Sequence, residues 1–184
     1  SNIIKEDDFE NPQTSYGITK LSQTKLSQYF AKKYNLPITA LRIFTGYGPF
    51  EEPNHLIGDI MMALITNNNI KIKSFSSKRD FIFINDVVNA IITTGNNMAT
   101  GEIINIGTGK EHSVNEIIEM CKKFGELNTE HQNQSNDERT IASGFANVEK
   151  SKKLLGWTPK FTLSEGLKQT FDWFVENKKY YLLN

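Results

Sequence analysis

A chain of 184 residues with 38 % apolar content has the bulk of one ordinary soluble domain and can bury a real core. Its 21 Lys+Arg and 21 Asp+Glu cancel, so no excess positive charge is available to neutralise a run of phosphates, which argues against nucleic acid and membrane surfaces as partners. The longest apolar stretches, such as Leu56 to Ile65, fall far short of the roughly 20 residues needed to cross a bilayer, and no charged-then-apolar leader opens the chain.

Ser1 to Thr14 is polar, carries Pro12 and ends in a capping signal at Thr14 or Ser15. A helix is predicted next, because Ile18, Leu21, Leu26, Tyr29, Phe30 and Tyr34 recur at helical spacing until Asn35 and Pro37 stop the pattern. Ile38 to Ile43 reads as a short buried strand and Gly46-Tyr47-Gly48-Pro49 as a loop, followed by a helix from about Ile57 to Thr66. Strands are predicted at Ile70 to Lys73 and Phe81 to Ile84, and a helix at Val87 to Thr94. Glu102 to Ile106 reads as a further strand closed by the turn Gly107-Thr108-Gly109, with a helix over Val114 to Phe124. Cys121 falls in that helix's apolar pattern with Ile117, Ile118 and Met120, as expected of a buried, reduced thiol in a cytosolic protein. Glu126 to Glu138 is polar and predicts a mobile loop. Leu163 to Tyr181 supplies a last amphipathic helix bearing Leu167, Phe171, Trp173 and Phe174. Alternating strands and helices imply an α/β protein.

The chemistry concentrates first in Tyr16-Gly17-Ile18-Thr19-Lys20, where a phenol and an ammonium project from one helix face about one turn apart. A free tyrosine has a pKa near 10, and lowering it by three units needs roughly 4 kcal/mol of differential stabilisation. A neighbouring lysine supplies part of this. Tyr and Lys four apart also occur on ordinary helix surfaces. His55, His112 and His131 are far apart and not at ligand spacing, so no metal site is predicted. Asn105 with Gly107 to Gly109 can be read as a phosphate cradle or as a tight turn that ends a strand.

Five segments in order carry a resemblance. Tyr16 to Lys20 resembles the YxxxK motif of the short-chain dehydrogenase/reductases, and Pro12 before it resembles the setting of the extended, sugar-modifying branch. Leu41 to Pro49 resembles that branch's "LR-F-x-x-YGP", Arg79 to Val88 its "RDFI-V-DDV", Gly101 to Gly109 its "G-x-x-x-N-I-G-x-G", and Leu154 to Pro159 its "LLGW-P". The resemblance implies the C-terminal half of a Rossmann-like extended subunit, an α/β fold with an incomplete parallel sheet plus a smaller mixed α/β substrate-binding lobe. Residues 1–45 would be a remnant of the NAD-binding domain. Residues 46–184 would be mainly the substrate lobe, with about 80–100 returning to the Rossmann part.

The same resemblance assigns roles. Tyr16 would exchange a proton with a sugar hydroxyl while hydride moves between the sugar carbon and NAD or NADP. Lys20 would hold the cofactor ribose and acidify Tyr16. Arg79 would hold the diphosphate of a nucleotide sugar, a bidentate task suited to a guanidinium, unless it is a surface arginine paired with Asp80 or Asp86. Arg139 is a second diphosphate candidate. Thr45 stands at a substrate-contact position where many epimerases carry asparagine, and Asn85 replaces a common aspartate while Asp86 is kept. The implied activity is nucleotide-sugar epimerisation, of the 4-epimerase type, in a cytoplasmic homodimer. Leu26, Tyr29 and Phe30 would supply the dimer contact, or else pack on the sheet. A 4,6-dehydratase, a 4-keto-sugar reductase and a non-catalytic scaffold are the alternatives, the last disfavoured because a scaffold needs no matched Tyr and Lys. The family's glycine-rich cofactor fingerprint should lie well over a hundred residues before Tyr16, whereas 15 residues precede it here, and Ser1 is too close to be the triad Ser/Thr. The expectation is therefore that the N-terminal half is absent, and that these residues alone bind NAD weakly and turn nothing over.

Overall fold

The structure is a computed structural model and describes residues 2–72, 74–97, 99–131 and 144–182. In chain order the elements are β1 (Ile3–Ile4), α1 (Ser15–Tyr34), β2 (Ala40–Ile43), β3 (Thr45–Tyr47), α2 (Leu56–Thr66), β4 (Ile70–Ile72), β5 (Lys78–Arg79) and β6 (Phe81–Phe83). There follow α3 (Ile84–Asn96), β7 (Ile103–Ile106), β8 (His112–Ser113), α4 (Val114–Cys121), β9 (Thr129–His131), β10 (Phe145–Ala146), α5 (Glu149–Leu155), α6 (Leu163–Glu176) and α7 (Lys178–Leu182).

Local chemistry sets most boundaries. Thr14 is extended and its hydroxyl accepts from the Gly17 amide at 3.1 Å, opening α1, and Asn35 closes it in the left-handed region at φ 50°. Capping boxes open α4 through Ser113 and Glu116, and α6 through Thr162 and Glu165. Other boundaries depart from the sequence reading. Gly46 and Tyr47 are strand and not loop, because Thr45–Tyr47 pairs in parallel with Phe81–Phe83. Ile84 begins α3 instead of ending a strand. The helix predicted to Phe124 stops at Cys121, and the one predicted to Tyr181 divides at Asn177 into α6 and α7. Thr129–His131, within the stretch expected to be a mobile loop, pairs with β4, Leu127 just before it is buried, and residues 132–138 lie outside the described residues.

The pairing is largely parallel, as helical crossovers require. β2 runs beside β7 with Ala40 opposite Ile103 and Ile43 opposite Ile106. At the next residue the chain changes partner: Phe44 donates to the Ile106 carbonyl at 2.9 Å, and Thr45 donates to the Asp80 carbonyl at 3.0 Å. Among the described residues β2 has a strand on one side only.

Two apolar clusters hold these elements. The larger joins Tyr47, Phe81 and Phe83 to Ile57, Ile60, Met61 and Leu64 of α2, to Ile117, Ile118 and Cys121 of α4, and to Leu167 and Phe174 of α6. The smaller joins Ile82, Val87 and Ala90 to Ile104 and Ile106, capped by Leu155 and Trp157. A fully buried Phe or Ile contributes about 1.5–3 kcal/mol by leaving water, so the first cluster anchors β3 and β6 firmly.

Candidate active site

Tyr16 and Lys20 stand at the opening of α1 and line an open groove shared with Leu41, Arg42 and Ile43 of β2. Gly17 permits the approach of the preceding segment, since a Cβ there would lie 3.1 Å from Pro12 Cβ and 3.3 Å from Thr14 Oγ1. The phenol of Tyr16 is 72 % exposed, free to meet a ligand. The Lys20 ammonium sits over its ring, 5.6 Å from the centroid, so the cation and the phenol share one face of the helix as the spacing predicted. Glu10 reaches across to Arg42 on β2 and to Lys25 Nζ on α1, at 2.6 Å for the lysine, and holds the segment before Tyr16 against both elements.

Thr45 lies two residues beyond Ile43, about 7 Å along the strand. Its amide bond to the Asp80 carbonyl places it beside Arg79 and Asp80. Arg79 is half-buried and its Nε is buried without a hydrogen-bond partner. Burial pulls its pKa below the ordinary guanidinium value. Neither neighbouring carboxylate is spent on it. Asp80 accepts from Thr108 N, Thr108 Oγ1, Gly109 N and Ala146 N at 2.6–3.1 Å, and Asp86 accepts from Lys160 N and Phe161 N at 2.9 and 3.1 Å. The pairing of Arg79 with Asp80 or Asp86 left open above is therefore not what the fold uses those carboxylates for.

The two readings of the Gly107 to Gly109 turn meet here. The turn does cradle an anion, but the anion is the protein's own Asp80. Gly107 is required by that contact, because a Cβ there would stand 2.6 Å from Asp80 Oδ2 and 2.6 Å from Ala146 Cβ. The role of Asp80 was missed from the sequence, although an acid immediately before a Phe-Ile-Phe strand and a later Gly-Thr-Gly turn were both in view. Glu10 was missed for a plainer reason: nothing local marks it.

Asn85 is exposed at the start of α3. Arg139 lies outside the described residues. His55 pairs with Glu51 at 2.8 Å and His112 with Glu116 at 3.5 Å, and among the described residues no group of three or more His, Cys, Asp or Glu is placed to hold a metal. Leu26, Tyr29 and Phe30 remain 40–54 % exposed rather than packing on a sheet. No helix among the described residues is long and apolar enough to cross a membrane.

A parallel α/β layer with a Tyr–Lys pair opening the crossover helix is the architecture of Rossmann-like extended short-chain dehydrogenase/reductases. The model of the NAD dependent epimerase/dehydratase family matches residues 2–107, and the chain belongs to that family. It is 32 % identical to the UDP-glucuronate 4-epimerase of Thermodesulfobacterium geofontis over 91 % of this chain and 52 % of that protein. It is 31 % identical to the human dTDP-D-glucose 4,6-dehydratase over 91 % of this chain and 50 % of that one. Among solved structures, MoeE5 in complex with UDP-glucuronic acid and NAD superposes with a TM-score of 0.87 at 30 % identity, covering 96 % of this chain and 60 % of that one. The UDP-glucuronic acid 4-epimerase from Bacillus cereus, in complex with UDP-glucuronic acid and NAD, gives 0.86 at 28 % identity, covering 98 % and 58 %. The chain spans about half the length of most of the curated relatives it matches.

Proposed function

We propose that the whole protein is an NAD-dependent nucleotide-sugar epimerase of the 4-epimerase type, and that Tyr16 is its acid/base. The observation that carries this reading is the exposed phenol of Tyr16, with the Lys20 ammonium over its ring, lining a groove open enough to admit a ring and a ribose. The cofactor's role, when bound, is to accept hydride from the sugar carbon and return it. Tyr16 takes the proton of the sugar hydroxyl at its phenol oxygen and gives it back, and Lys20 holds the cofactor ribose. Arg79 takes the diphosphate, which a half-buried guanidinium with an orphaned Nε favours, because a partly desolvated cation is stabilised by a bound anion. Thr45, bonded to the backbone of Asp80, meets the sugar, and Arg139 is the second candidate for the diphosphate.

In this reading residues 1–45 belong to the cofactor domain and 46–184 mainly to the substrate lobe, with 80–100 returning to the former. The apolar face of α1 that bears Leu26, Tyr29 and Phe30 mates two subunits of a cytoplasmic homodimer. A 4,6-dehydratase is the second reading, favoured by the likeness to the human dTDP-D-glucose 4,6-dehydratase. The test is Tyr16→Phe in the full-length enzyme: turnover should drop at least about a hundredfold with sugar-nucleotide affinity retained. Unchanged turnover removes Tyr16 from the mechanism. Release of a 4-keto-6-deoxy product instead of the epimer would decide for the dehydratase.

A further inference from the structure

β5 and β8 form a two-residue antiparallel ladder in which Arg79 stands directly opposite His112, and Lys78 opposite Ser113. Residues directly opposite in such a ladder present their side chains on one face, and neighbours along a strand alternate. The ion pairs agree with this: Lys78 Nζ reaches Glu111 at 3.4 Å on one face, leaving Arg79 and His112 together on the other. Like charges directly opposite destabilise a ladder. A fold that sets a guanidinium against an ionisable imidazole therefore gains when an anion lies across both.

The surroundings of His112 leave it able to serve. The charged groups of the elements packed against it are Arg79 and Lys78 on β5, Glu111 just before it, and Glu116 and Glu119 on α4, the last of these paired with Lys122 at 2.7 Å. Lys78 and Glu111 pair with each other on the opposite face. Glu116 faces the imidazole, its Oε2 3.5 Å from Nδ1. That oxygen already accepts from Ser113 N at 2.8 Å in the capping box of α4. This backbone hydrogen bond is the main reason the Glu116 carboxyl sits below its usual range. With Nδ1 turned to Glu116, Nε2 points away from it. Arg79, meanwhile, has its Nε buried and unpaired on the shared face.

We infer that His112 is a second cationic contact for the diphosphate of the nucleotide sugar, seated beside Arg79, and that it makes sugar-nucleotide affinity depend on pH. The inference rests on the reading of Arg79 as the diphosphate ligand. An imidazole ordinarily gains its proton as pH falls through about 6.5, whereas the diphosphate diester of a nucleotide sugar keeps its charge throughout. Affinity should then rise on acidification.

The experiment titrates this chain with UDP-glucose by calorimetry at low salt, at pH of about 8 and about 5.5, which bracket an ordinary imidazole. The wild type should bind roughly fivefold tighter at the lower pH, a change within the range of one charge-assisted contact. His112→Gln should bind equally at both pH values, with the affinity the wild type shows at the higher one. Arg79→Ala should weaken binding at both. A wild-type affinity independent of pH, or a pH dependence kept by His112→Gln, overturns the role of His112 while leaving Arg79 in place. Unchanged binding in Arg79→Ala overturns the reading of Arg79, and no binding at millimolar ligand overturns both. Far-ultraviolet circular dichroism of each variant separates loss of a contact from loss of the fold.

Discussion

Two tyrosines carry the same side chain into opposite surroundings. Tyr47 is 2 % exposed, donates its hydroxyl to the Leu163 carbonyl at 3.2 Å, and is pushed up in pKa by burial first and by the nearby Asp86 second. It is a strut between β3 and α6, and Gly166 is required beside it because a Cβ there would lie 2.2 Å from its oxygen. Tyr16 has none of these restraints, and exposure leaves its oxygen available to a substrate. Cys121 makes the energetic side of burial measurable. Its thiol is fully buried and pushed up to about 12. The folded state therefore holds the proton above the pH at which an unfolded thiol releases it, near 8.5. The stability this confers is complete below about 8.5 and is lost as pH climbs toward 12. Urea unfolding at pH of about 8 and about 10.5 should show wild type losing roughly 2 kcal/mol more than Cys121→Ala between the two. Equal losses would mean that the thiol is not desolvated in the folded state. The thiol should also resist alkylation in the native protein and react on unfolding.

At the scale of elements, helices that bury one face were the most legible. α4 and α6 announce themselves by apolar residues at helical spacing, and the structure adds a capping box at the start of each. Thr162→Ala should remove the cap of α6 at a loss of about 1 kcal/mol. For a chain of this size that is a fall in melting temperature of about 2–4 °C, read by calorimetry. An unchanged transition would show that packing of Leu167 and Phe174 alone sets where α6 begins. α1 behaves differently. Ala31 is its one buried residue, and Ile18, Leu26 and Tyr29 face water. Its periodicity was visible in the sequence, yet periodicity does not say what covers a face. The short elements were illegible for another reason. β5, β8 and β10 have two residues each, too few for any alternation to register, and exist only because a distant segment pairs with them.

For the molecule as a whole, the two clusters divide the labour. The smaller packs β7, α3 and Trp157 behind β2, whose second edge has no strand among the described residues, and the larger builds the layer of α2, α4 and α6 around β3 and β6. The Gly107 to Gly109 turn is the segment most like a pyrophosphate cradle, and its amides are already taken by Asp80. These residues alone should consequently bind NAD weakly or not at all. Isothermal titration of NAD into this chain should give no micromolar affinity, and a micromolar dissociation constant would reverse that expectation.

The order of the five motifs, the Tyr–Lys spacing, the helix starts and the apolar runs are properties of neighbouring residues, so they could be read from the sequence by itself. They were enough to place the chain in its family and to single out Tyr16, Lys20, Thr45 and Arg79. What only the tertiary structure decided involves residues far apart along the chain: the change of partner between Phe44 and Thr45, the capture of Asp80 by a turn 28 residues later, and Arg79 set opposite His112. Hydrogen bonding and charge act through a few ångströms of space, and which distant groups come within that range is settled by the packing of the whole fold.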